Sequence, residues 1–264
     1  MATVLSSEFP LHVETDGDDR RPAVLLLNPL GTTLSFWDPL IDKLTEHYWV
    51  IRLDLRGHGR SGGPVTPYGV QDLARDAIAV LDALEVPRSH VVGSSLGSLV
   101  AATLASEYPD RVDRVVLAAI GVSLGPDYWW RETIERVTNG GVASIVPHLE
   151  DIFFSPAWRE AVPDRLETAR EMLLETPDDA FLAGAEAILD ADVAAIAPSI
   201  RAATLVIGGE DDPVLRHSPA IELRDLISDS EALNVGGARH RVILEQPDVL
   251  AEIICDFLAD PDGR

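Results

Sequence analysis

Lysine and cysteine are nearly missing from this chain. Lys43 is the only lysine and Cys255 the only cysteine among 264 residues. A single cysteine cannot close an intramolecular disulfide or build a cysteine-based zinc site. Its neighbours Ile253, Ile254, Phe257 and Leu258 follow one helical face, so Cys255 reads as a buried core thiol. No apolar stretch approaches the ~20 residues needed to cross a bilayer. The N-terminus carries an early acid, Glu8, and lacks a basic segment followed by an apolar run. No signal peptide is read from it, and a cytoplasmic location is expected. Basic residues are scarce as well: 21 Lys and Arg stand against 44 Asp and Glu, a formal net charge of −23. That balance argues against nucleic acid and anionic membranes as partners, and it slows the approach of anionic substrates. No His/Asp cluster has metal-ligand spacing, so no metal is expected.

What is present suits one large domain, or a domain with a sizeable insertion: 46% of residues are apolar and no repeat is evident. Ala23–Leu27 is apolar throughout and ends at Asn28-Pro29, which reads as a buried strand. Residues 36–46 have helical spacing, and Trp49–Leu53 reads as a second strand. Residues 70–84 form an amphipathic helix through Leu73, Ala77, Val80, Leu81 and Leu84. Strand 90–92, helix 96–106 and strand 112–119 follow. Fully apolar strands separated by helices predict a mostly parallel sheet covered on both faces, an α/β fold. From about 121 to 198 the alternation stops, giving helical patterns broken by Pro147, Pro156, Pro163 and Pro177. The predicted division is a core over 1–121, a helical insertion over 122–197 and a second core segment over 198–264. In the last part, 204–207 and 232–235 read as strands, and 219–227 and 248–258 as helices.

Gly93-Ser94-Ser95-Leu96-Gly97 matches Gly-x-Ser-x-Gly between a predicted strand and a predicted helix. Only Ser95 has glycine two residues before and two after, so it is the candidate nucleophile. A serine hydroxyl needs a base within hydrogen-bonding reach. His240, after the last predicted strand, is the candidate. His58 sits in a Gly-rich turn and reads as a partner of backbone groups. His12, His47, His90, His148 and His217 lie in or beside surface-like segments and read as structural or solvent-facing. A carboxylate must hold the base in its working tautomer. The acid-rich loop Glu210-Asp211-Asp212-Pro213 offers Asp212, with Asp211 as the alternative. Attack on a carbonyl needs two N–H donors for the oxyanion. Leu96 opens a helix beside the nucleophile and supplies one. Pro29 has no N–H, so Leu30 supplies the other.

The order Ser95…Asp212…His240 is that of α/β-hydrolases, which the chain resembles over nearly its whole length. Within that superfamily it is most similar to 3-oxoadipate enol-lactonases. The similar stretches are Asn28-Pro29-Leu30-Gly31-Thr32, Trp37-Asp38-Pro39, Asp54-Leu55-Arg56-Gly57-His58-Gly59-Arg60-Ser61, Tyr108-Pro109-Asp110-Arg111-Val112, Ser155-Pro156-Ala157 and Ala187-Ile188-Leu189-Asp190-Ala191-Asp192. The first four recur across the superfamily; the last two are more discriminating. The resemblance implies a helical cap, no cofactor, and hydrolysis of a small ester or lactone. It also departs from the family. Pro29 stands where the family has Ser, and Thr133 and Ile152 stand where its cap carries arginines, beside Trp130 and Phe153. These four cap residues are the expected substrate pocket. Without guanidinium partners there, neutral substrates are expected over carboxylated ones. The same scaffold also admits carbon–carbon bond hydrolysis, a cyclase or lyase step, or a small-molecule receptor. Self-association is left open.

Overall fold

An all-apolar strand is stable only where both faces of its sheet are covered. The computed structural model, which describes residues 2–5, 9–63, 67–215 and 219–259, builds that arrangement. Glu8 and His217 fall outside the described residues. The strands are β1 (Ala2–Leu5), β2 (Pro10–Asp16), β3 (Ala23–Leu27), β4 (Trp49–Leu53), β5 (Ser89–Ser94), β6 (Val112–Ala118), β7 (Ala203–Gly209) and β8 (Ser230–Val235). They form one sheet in the order β1-β2-β4-β3-β5-β6-β7-β8. The first two pairings are antiparallel and the other five parallel.

The pleat sends alternate side chains to two separate cores. Leu25, Leu27, Val91, Val115 and Leu117 enter one. Val24, Leu26, Val92, Val116 and Ala118 enter the other. The first core is closed by α2 (Val70–Ala83), α3 (Leu96–Glu107) and α10 (Pro219–Leu226). The second is closed by α1 (Asp38–Thr45), α11 (Val242–Glu245) and α12 (Pro247–Ala259). Cys255 lies on α12 inside this second core. The hairpin β1–β2 is not visible in the apolar patterning. Only Leu11 and Val13 of β2 are core residues, and His12, Glu14 and Asp16 intervene.

Between β6 and β7 the chain forms six helices: α4 (Asp127–Gly140), α5 (Val146–Phe153), α6 (Pro156–Ala161), α7 (Pro163–Glu175), α8 (Asp178–Leu189) and α9 (Val193–Ile196). Proline opens α5, α6 and α7, because the first turn of a helix needs no N–H from it. The same residues cannot continue the preceding helix, which keeps these helices short. No described helix is long and apolar enough to cross a membrane.

The topology fixes where a site can form. After β3 the chain goes to β4 on one side, then crosses to β5 on the other. A crevice opens at the carboxyl ends where the connections diverge. The loops after β3 and β5 flank it.

Candidate active site

Ser95 sits directly after β5 with φ 53° and ψ −115°. A non-glycine residue there is strained by roughly 1–3 kcal/mol. The Ser95 N–H donates to Ala118 O at 2.9 Å. The strand and helix approach so closely that a Cβ on Gly97 would lie 1.9 Å from Leu27 O, and one on Gly93 2.3 Å from Gly97 O. Both flanking positions therefore require glycine, and the turn lifts the Ser95 side chain clear of the sheet.

The loop after β8 brings His240 to the same point. Its Nε2 lies 3.0 Å from Ser95 Oγ. Its Nδ1 lies 2.8 Å from Asp212 Oδ2, across 28 residues of sequence. Asp212 Oδ1 accepts the N–H groups of Val214 at 2.8 Å and Leu215 at 3.3 Å. Asp211 is exposed, and only its backbone takes part, donating to Ala238 O at 3.0 Å. That bond ties the aspartate loop to the histidine loop. A hydroxyl bonded to an imidazole whose far nitrogen faces a carboxylate can lose its proton as it attacks.

Neither the Leu30 nor the Leu96 N–H is hydrogen-bonded among the described residues. The Leu96 N–H is orphaned because it opens α3. Leu30 lies in a loop anchored by Asn28, whose side chain donates to Leu53 O at 2.9 Å and accepts from Trp37 Nε1 at 2.8 Å. The buried His58 holds the next peptide. Its Nε2 accepts the Gly31 N–H at 3.3 Å while Nδ1 donates to Arg56 O at 3.1 Å. Burial holds the His58 imidazole below its ordinary pKa, which favours this neutral tautomer.

One space adjoins Ser95, and a second lies beyond it. The first is enclosed and holds about 10 Å³, lined by Trp129, Trp130, Phe153, Phe181, Val214 and Arg241 among others. That is room for about one water molecule. The other is an open groove of about 650 Å³ that shares Trp129 and Val214 with the first. These two side chains therefore form the partition between them.

The four expected pocket residues divide. Trp130 and Phe153 line the enclosed space, and Phe153 stacks on His240 with ring centroids 5.1 Å apart. Thr133 does not line it. Its buried hydroxyl donates to Trp129 O within α4 at 2.9 Å, and the indole of Trp130, one turn earlier, occupies the face toward Ser95. Ile152 lines the outer groove instead, because its neighbour Phe153 takes the inward direction on α5. Of the histidines read as structural or solvent-facing, His12 and His90 are buried, at 6% and 8% exposure, and so take the structural place. Reading the sequence missed Leu149, Val214 and Arg241 in this lining. The available signal for Arg241 was its place beside His240; the others carry no local mark.

The histidine loop is fastened to the helical insertion. Glu245 accepts the N–H of Arg239 at 2.7 Å and, across 90 residues, that of Ser155 at 2.9 Å. The Arg241 N–H donates to Phe153 O at 3.0 Å, and the Arg239 side chain donates to Asp151 O. No cluster of three His, Cys, Asp or Glu that could hold a metal occurs among the described residues.

Residues 22–140 match the family model for the alpha/beta hydrolase fold. The chain is 33% identical to 3-oxoadipate enol-lactonase 2 of Acinetobacter baylyi over 93% of its own length and 91% of that protein. Among solved structures, the enol-lactonase from Burkholderia xenovorans superposes with a TM-score of 0.95 at 29% identity, covering 98% of this chain and 100% of the other. A hydrolase from Pseudomonas aeruginosa superposes with a TM-score of 0.93 at 33% identity, covering 98% of each. With its sheet order, its strand–serine–helix turn and this likeness over nearly the full length, the chain belongs to the α/β-hydrolase family.

Proposed function

We propose that the protein is a serine hydrolase that cleaves a small ester or lactone through an acyl-enzyme. The observation that carries this reading is the unbroken contact from Ser95 Oγ to His240 Nε2 and from His240 Nδ1 to Asp212, at 3.0 and 2.8 Å. Ser95 Oγ bonds to the carbonyl carbon while its proton passes to His240 Nε2. The carbonyl oxygen becomes an oxyanion, which the free N–H groups of Leu30 and Leu96 receive. The bond to the leaving oxygen then breaks, and His240 returns the proton to it. Water, deprotonated by His240, adds to the acyl carbon, and the acid leaves as Ser95 regains its proton. Asp212 holds the imidazole and stabilises its charged form throughout. The names of the relatives, enol-lactonases, support an ester-like bond as the target.

A fluorophosphonate probe tests this reading. We expect it to label Ser95 and no other residue, and short p-nitrophenyl esters or simple lactones to be hydrolysed. Ser95→Ala should lower kcat by about 10⁴-fold or more. An unlabelled Ser95 in folded protein, or full turnover by Ser95→Ala, rejects the mechanism and favours other chemistry on this scaffold.

A further inference from the structure

The two oxyanion donors are held in different ways. An N–H that waits for an oxyanion has no bond of its own to aim it. Its peptide plane must be fixed through the carbonyl on the opposite edge. For Leu96 that carbonyl is Ser95 O, which accepts the N–H groups of Ser98 at 2.8 Å and Leu99 at 3.2 Å. These bonds belong to the first turn of α3, so the helix itself holds the plane. For Leu30 the carbonyl is Pro29 O. No backbone N–H bonds to it among the described residues. Its hydrogen bond comes from Thr32, whose hydroxyl donates to it at 2.8 Å.

The loop is built to deliver that hydroxyl. Gly31 has φ 72°, in the left-handed region, and turns the chain so that residue 32 comes back to residue 29. A turn of this span is ordinarily closed by the N–H of its fourth residue. Here the hydroxyl of the fourth residue closes it. Pro29 and Thr32 are both buried, so bulk solvent does not share the bond. The following peptide is clamped at both edges. Arg241 Nη2 donates to Leu30 O at 3.2 Å, and the Gly31 N–H donates to His58 Nε2 at 3.3 Å. Leu30 thus stands between two fixed planes, and it lines the same enclosed space as Ser95. The Pro29–Leu30 peptide is trans, so its N–H points away from the carbonyl that Thr32 holds.

Resting on the serine-hydrolase reading, we infer that Thr32 is a positioning residue for the reaction: its hydroxyl fixes the Pro29–Leu30 peptide and so aims the Leu30 N–H at the forming oxyanion. A donor aimed in advance needs no reorganisation when the charge develops. The gain falls on the transition state and on tetrahedral adducts, and bound substrate sees little of it. The two donors also differ in what can disturb them. One side-chain bond holds the Leu30 plane, and one substitution removes it. The Leu96 plane persists as long as α3 does.

The test compares Thr32→Val, which keeps the shape and removes the donor, with Thr32→Ser, which keeps the donor. Each variant is assayed on p-nitrophenyl acetate and titrated with a short alkyl trifluoromethyl ketone, whose adduct with Ser95 carries an oxyanion. Thr32→Val should lower kcat by about 10–100-fold, the effect of a displaced donor and less than that of a missing one at its upper end. Acylation and deacylation both pass through an oxyanion, so KM should stay within about twofold. Affinity for the ketone should fall by the same factor as kcat. Thr32→Ser should recover both to within about threefold of the wild type. The pH dependence of kcat/KM should be the same in all three proteins, because Thr32 bonds to neither His240 nor Asp212. Unchanged kcat and ketone affinity in folded Thr32→Val overturn the inference. So does a fall in kcat that ketone affinity does not follow, a displaced pH profile, or no recovery in Thr32→Ser. If Thr32→Val does not fold, Thr32→Ala replaces it and is held to the same outcomes. Failure of the underlying mechanism looks different, since wild-type Ser95 would then neither bind the ketone nor label with fluorophosphonate.

Discussion

The sheet and the helical insertion meet at Ser95, but they hold their residues in different ways. On the sheet side, Ser95, Asp212 and His240 each follow a strand, and Leu30 follows a neighbouring one. Backbone hydrogen bonds and glycine contacts fix those strand ends. On the insertion side, Trp129, Trp130 and Phe153 project from short helices. Their link to the histidine loop runs through Glu245, the Arg241 N–H and the Arg239 side chain. On the proposed mechanism, chemistry rests on backbone geometry and selection on side-chain packing. Changes on the two sides should separate: the first should act on the chemical step, the second on which substrate is taken.

The largest expected contrast is within the sheet side itself. Asp212→Asn should lower kcat by about 10⁴-fold, because the asparagine amide favours the wrong tautomer of the base. The adjacent Asp211→Asn should stay within about twofold, since its side chain faces solvent. Steady-state kinetics on a p-nitrophenyl ester checks both, and a comparable loss in the two variants would break the contrast. Next is the partition between the two spaces. Trp129→Ala should raise kcat/KM for long acyl esters relative to acetyl by about tenfold, the worth of one or two methylenes in a pocket. Labelling of Ser95 should be unchanged. An unchanged chain-length profile would mean that Trp129 does not set the acyl space.

Glu245→Gln tests the tie between the sides. It replaces an oxygen acceptor by an NH₂ group facing an N–H, at a cost of about 1.5–3 kcal/mol. The melting temperature should fall by about 3–10 °C, and His240 should lose alignment with it. The smallest effect concerns acid. His58 and His90 are both held below the ordinary histidine pKa, chiefly by burial. Above pH 6.5 neither state binds these protons. Below it the unfolded chain takes them up and the native protein resists. Stability is thus fully present above 6.5 and is lost as pH falls from there toward the lowered native values. Urea midpoints between pH 7 and 5 should show that loss, and His58→Gln should flatten it. A variant at the exposed His148 of the insertion should not.

The sheet side was legible in the sequence, and so was the helical character of the insertion, but the inward directions of its side chains were not, for a physical reason. A nucleophile turn demands glycine at two spacings, and buried parallel strands demand unbroken apolar runs. Gly93, Gly97 and Ala23–Leu27 carry those demands locally. Asp212 was separable from Asp211 by its place before Pro213. Direction on a helix is set by tertiary packing, so Thr133 was expected inward and lies behind Trp130. Ile152 was expected beside Phe153 and faces the outer groove. The hairpin β1–β2 escaped because an edge pair needs few core residues. Arg241 escaped because a guanidinium is ordinarily a surface group, and nothing local says that this one turns inward.

The tight crossing under Ser95 has one more consequence. Crowding falls on Gly93 and Gly97, whose added carbons would strike backbone oxygens. The side chain at 95 points away from that contact. A different reactive group could therefore replace the hydroxyl without disturbing the crossing, whereas a single methyl two residues to either side would force strand and helix apart. The scaffold makes its reagent exchangeable and its glycines permanent.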